Sequence, residues 1–170
     1  MKKLTLILAF IGMIGLTTAC SNEDDIDNDT IAEAFELRNI DFIENNPQNY
    51  SIYRTLDPQI FASDVILIYR LVGTIDSSTP IWQQIPRTEY LPEGELDYDF
   101  DFSKEDFTIY ARSTYDALGL TPSFVTNETF RIVIVPAFLS NKGASQVDFS
   151  DYNAVIKAYN IDESKIKIMK

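Results

Sequence analysis

The chain has 26 Asp and Glu side chains, one cysteine and no histidine, so any acid–base or metal chemistry would rest on carboxylates. The most regular set lies in ELDYDFDF, Glu95 to Phe102, where Asp97, Asp99 and Asp101 alternate with Leu96, Tyr98 and Phe100. Closely spaced carboxylates supply the hard oxygen ligands calcium prefers. On a strand, however, next-but-one residues stand about 6.5–7 Å apart, too wide for a compact shell without a second segment. The run also lacks the glycine and the bidentate glutamate of a twelve-residue calcium loop, since Phe102 and Thr108 stand in those places. A solvated strand face is the simpler reading, and no metal ligand is assigned.

Two carboxylates can divide acid and base roles on a glycoside, and Asp101 with Glu105, or Asp116 with Glu128, could be such a pair. In so acidic a chain these pairs arise without design. No nucleophile elbow, phosphate loop, zinc helix or dinucleotide fingerprint accompanies them. Without imidazole, the usual zinc sites and histidine-based triads are excluded. The expectation is a non-enzyme with no catalytic residue and no cofactor. Aromatic rings offer a different chemistry: Trp82 and Tyr90, flanked by Gln83, Gln84 and Glu89, could stack on a glycan and hydrogen-bond to it. Core packing is the simpler explanation of Trp82 and Tyr98, with Tyr90 at a loop or strand edge, since 9 Tyr and 11 Phe in a β-rich chain need no ligand to account for them.

Cys20 sits between an apolar run and a cluster of acids. Lys2 and Lys3 precede LTLILAFIGMIGL, Leu4 to Leu16, and Thr17, Thr18 and Ala19 follow it. A cationic start, an apolar core and small residues form a secretory signal. At 13 residues the run is shorter than the roughly 20 a spanning helix needs. It resembles the signal peptide of a bacterial lipoprotein, whose lipobox ends at the cysteine that Cys20 matches. Thr17 departs from the aliphatic residue usual at its position. The resemblance implies cleavage before Cys20, a diacylglycerol on its thiol and a palmitate-class acyl chain on its new amine. Several chains together anchor stably where one does not.

Ser21 to Asp25, with Asp27 and Asp29 beyond, resembles the acidic export tag of surface lipoproteins of Bacteroidota, and it also reads as a solvated tether. The whole chain, through DVILIYRL, IWQQIP, LDYDFDF, FRIVIVP and DYNAVIKAY, is similar to the small members of that group. The resemblance implies an outer-membrane, lipid-anchored, surface-exposed location, with the bilayer as partner through Cys20 and an envelope protein or glycan as the outward partner. It supplies no catalytic residues. The formal net charge of −12 disfavours nucleic acid, which needs a positive footprint.

The expected organisation is a signal peptide over 1–19, an acidic tether over 20–32 and one domain over 33–170. In that domain, strands are expected at Ala34–Phe42, Asn49–Leu56, Val65–Val72, Ile81–Pro86, Glu95–Phe102, Phe107–Ala111 and Thr129–Pro136, with Ile166–Met169 as a terminal edge. NNPQ, DPQIFASD and GTIDSSTP read as breaks between them. Val65–Val72 and Phe130–Val135 are apolar on both faces apart from Arg70 and Arg131, so their second face needs a cover. The candidate is Asp151–Tyr159, where Tyr152, Val155, Ile156 and Tyr159 follow helical spacing and Ser150 could cap. These signals predict an all-β, immunoglobulin-like antiparallel sandwich with one C-terminal helix, a closed barrel being the alternative.

Overall fold

The computed structural model of the chain describes residues 32–76, 78–137 and 147–169. Cys20, the signal and most of the tether lie outside the described residues. Among the described residues ten strands run β1 (Glu33–Ile40), β2 (Ile43–Asn46), β3 (Asn49–Thr55), β4 (Val65–Ile75), β5 (Thr79–Ile85), β6 (Arg87–Leu91), β7 (Gly94–Phe102), β8 (Asp106–Ser113), β9 (Glu128–Val135) and β10 (Lys167–Met169). They form two five-stranded sheets, ordered β10-β1-β9-β4-β5 and β2-β3-β8-β7-β6. Among the described residues no strand joins one sheet to the other, so the fold is a sandwich and not a closed barrel.

Alternation decides which side chains fill the space between the sheets. On β4 and β9, Ile66, Ile68, Phe130, Ile132 and Ile134 meet Ile52, Leu96, Tyr98, Phe107 and Ile109 from the facing sheet. The intervening residues of the same strands, Leu67, Tyr69, Val133 and Val135, form a second apolar cluster on the outer face. The predicted cover is there: α2 (Tyr152–Ala158), labelled after a short α1 (Ala117–Leu120), places Tyr152 and Val155 in that cluster, with Tyr159 at its C-terminal cap. Its cap differs from the expectation. Asp151 accepts from the backbone N–H groups of Asn153 and Ala154, whereas Ser150 turns to Asp148. A carboxylate is the better partner for the positive end of a helix.

Three elements were not expected. Ile43–Asn46 pairs with β3, so NNPQ is a hairpin turn and not a plain break; β6 pairs with β7; and α1 is capped by Asp116. GTIDSSTP is mostly strand, with β4 and β5 paired out to Ile75 and Thr79. The terminal strand is an edge as anticipated, but β10 pairs with β1 in parallel, the exception in otherwise antiparallel sheets.

Both arginines in the otherwise apolar strands carry partners with them. Arg70 points inward and forms a bidentate pair with Glu128, at 2.7 and 2.8 Å. Its guanidinium lies 4.5 Å from the centroid of the Tyr98 ring and 5.3 Å from that of Phe124. Arg131 points outward beneath α2, 4.3 Å from the Trp82 centroid, and donates to Glu36 at 2.6 Å and Glu163 at 2.7 Å as well as to the Tyr152 hydroxyl.

Glu36 is 3% exposed and accepts from both Arg131 and Arg38. Burial raises its pKa, but the two guanidinium groups outweigh burial and hold it below the ordinary value. The unfolded chain then binds the extra proton more readily, so this carboxylate stabilises the fold above its unfolded pKa and loses that effect as pH falls through the lower folded one. Glu36→Gln is expected to cost about 1–3 kcal/mol at pH 7. In urea melts at several pH values, the gap between wild type and variant should close below about pH 4.5; a gap that widens in acid would refute the assignment.

Candidate functional site

One end of the sandwich opens into a groove of about 700 Å³. Three segments wall it: the first residues of β1 from Ala32, the connection from Leu56 to Asp64, and the C-terminal stretch from Asn160 to Met169. Each is held for a local reason. The Leu56 and Ile60 N–H groups donate to the carbonyls of Glu105 and Lys104, at 2.7 and 3.0 Å, tying the connection to the start of β8. Asp64 closes the connection on itself: its N–H donates to the Phe61 carbonyl and its Oδ2 accepts the Phe61 N–H, both at 3.0 Å. On the opposite wall a 3-10 turn, Glu163–Lys165, is capped by Asp162, and its exit feeds β10 into parallel register with Phe35 opposite Lys167.

The lining mixes apolar side chains with charge. Phe61 and Ile168, both in the lining, are 53% and 54% exposed. The acids are Glu33, Asp57, Asp64 and Asp162, and the bases are Lys165 and Lys167. Lys165 pairs with Asp162 at 3.3 Å, so the remaining charge of the lining is negative. Asp64 is buried, and its Oδ1 has no hydrogen-bond partner among the described residues.

The residues singled out from sequence fall elsewhere. Trp82 is half-buried on the outer face of its sheet, with Arg131 over its ring and Tyr152 5.6 Å away. Its indole N–H is buried without a partner among the described residues. Tyr90 is 77% exposed on β6, the edge of the other sheet, opposite Glu95 on that sheet's outer side. The two rings therefore sit on opposite faces of the sandwich and cannot form one platform. Glu89 reaches toward Arg70, at 4.0 Å, and not toward the Tyr90 ring.

The acidic row on β7 lies on the outer face, with each carboxylate held by a cross-strand neighbour. Asp97 accepts from Thr88 at 2.5 Å, Asp99 pairs with Arg112 at 3.3 Å, and Asp101 accepts from Tyr110 at 2.9 Å. Among the described residues no group of three potential ligands is placed to hold a metal. Phe102, which alternation puts on the same side as Leu96, Tyr98 and Phe100, is 41% exposed at the strand end and stacks on Phe100. The carboxylate pairs are likewise separated in role. Asp101 serves Tyr110 while Glu105 faces Lys104; Asp116 caps α1 while Glu128 is buried against Arg70.

In sequence the groove walls read as a turn-rich connection and a terminal edge, with nothing to join them. The only local signal was DPQIFASD itself, which sets Ile60 and Phe61 between acids in a loop. The parallel pairing of β10 with β1, which brings the second wall across, has no short-range signature. No family model matches the chain, and no curated protein or solved structure matches it either.

Proposed function

We propose that this chain is an outer-membrane lipoprotein, anchored through acylated Cys20 and exposed at the cell surface, whose domain is a non-catalytic protein-interaction module. The observation that carries the interaction role is the end groove, where Phe61 and Ile168 stand exposed beside unbalanced negative charge. Large exposed apolar side chains rimmed by polar ones mark contact surfaces. Ala32, in the groove wall, is also where the described domain meets the tether, so an anchor at Cys20 would hold this end toward the membrane. No helix among the described residues is long and apolar enough to cross a membrane.

The immunoglobulin-like reading draws on the two facing, mainly antiparallel sheets, in which β8 lies beside β3 and β9 beside β4 after intervening strands. A glycan-binding reading retains Tyr90 as its open ring, with Trp82 removed to the far face.

The test compares wild type with Cys20→Ala in intact cells. Mass spectrometry should find a cleaved, acylated amino terminus in wild type and no lipid in the variant, while chemical melts of the two agree within about 0.5 kcal/mol. Crosslinking should capture a saturable protein partner of the wild type. An unmodified leader on the native product would overturn the anchoring, and the absence of any saturable partner would overturn the module.

A further inference from the structure

We infer that the end groove binds an extended peptide segment of a partner protein that presents a lysine or arginine next to an apolar side chain, with Asp64 as the carboxylate that recognises the cation. The inference rests on the interaction reading above and names the chemistry of its partner.

Three observations converge on it. Asp64 is 8% exposed, with Oδ2 occupied by the Phe61 N–H and Oδ1 left without a hydrogen-bond partner among the described residues. A buried carboxylate oxygen in that condition is costly, and a cationic donor is its strongest remedy. Glu33 and Asp57 line the same groove and, together with Asp64, outweigh Lys167, while Lys165 is neutralised by Asp162. Phe61, whose backbone is held by Asp64, presents its exposed ring to the solvent side. A basic residue and its apolar neighbour would thus find a carboxylate and an aromatic ring three positions apart.

The backbone favours an extended occupant. β10 is the last strand of its sheet, and its outer edge has no strand partner among the described residues. An extended segment that pairs along this edge and then runs on across the groove gains main-chain hydrogen bonds at β10, while its farther residues pass the ends of β1 and β9 to reach Asp64 beside β4. The strongly negative chain as a whole attracts a basic segment and repels an acidic one.

Fluorescence anisotropy on the full-length protein in zwitterionic detergent can test this, using a labelled, end-blocked octapeptide of alternating valine and lysine. Its counterpart carries N-acetyl-lysine, which keeps the length and removes the charge. The lysine peptide should bind at least about tenfold more tightly, the equivalent of one charge-assisted contact. Asp64→Asn should erase that preference, and Phe61→Ser should weaken both peptides. If Asp64→Asn fails to fold, Glu33→Gln with Asp57→Asn, both at exposed positions, should reduce the preference about threefold or more. Equal binding of the two peptides, or a preference that survives Asp64→Asn, would overturn the inference. A crosslinked partner that maps to another face would overturn it too while leaving the interaction module standing.

Discussion

Replacing Glu128 with alanine is expected to destabilise the fold by about 3–5 kcal/mol, the cost of stranding a buried charge. Glu128 is 5% exposed and takes both hydrogen bonds of the inward-facing Arg70 fork. Arginine cannot shed its proton to escape, and the Glu128 contact holds its pKa above the usual value despite burial. The reciprocal change is gentler for a physical reason. Burial pushes the Glu128 carboxyl upward more strongly than Arg70 pulls it down, so in Arg70→Met the orphaned acid can take up a proton and become neutral. The penalty of Arg70→Met should therefore shrink as pH falls toward 5, whereas that of Glu128→Ala should not. The double variant Arg70→Met with Glu128→Leu should recover most of the loss, since a well-packed apolar pair can replace a buried ion pair. Urea melts at two pH values read all three outcomes, and a Glu128→Ala loss under 1 kcal/mol would show that the pair is hydrated.

That pair also marks the limit of what was legible beforehand. Arg70 and Arg131 stood out as interruptions in two strands that were otherwise apolar on both faces. Their own strands were recognised because alternation and β-branched residues act locally. Their partners were not, because Glu128 lies 58 positions from Arg70 and Glu36 lies 95 from Arg131. In sequence Glu128 pairs more readily with Asp116, by a proximity along the chain that sheet register does not respect. Strand existence survived the same test better than pairing did. The hairpin of β7 with β8 follows from adjacency, but the parallel return of β10 to β1 crosses the length of the domain and creates the groove. A site made by such a return has no motif to read. Asp64 illustrates this: in sequence it is a loop acid like many others, and its distinction lies in the unpartnered oxygen that only packing creates.

The cover over the outer face was legible, and it predicts the second large effect. Tyr152→Ala should cost about 3–5 kcal/mol, as for other large buried aromatics. Tyr152 is 4% exposed, meets Tyr69 edge-on at 5.2 Å, and hydrogen-bonds with Arg131 and Glu163 through its hydroxyl. Truncation therefore opens a cavity beneath α2 and removes one wall around Trp82 at the same time. Trp82 is the chain's one tryptophan, so intrinsic emission reports this face alone. The native emission of Tyr152→Ala should shift to longer wavelength, while Tyr98→Phe, between the sheets, should leave it in place. A stability loss without the spectral shift would mean that α2 repacks over the strands. A shift without the loss would mean that the helix adds little to the sandwich it covers, and β4 and β9 would then need another reason to be apolar on both faces.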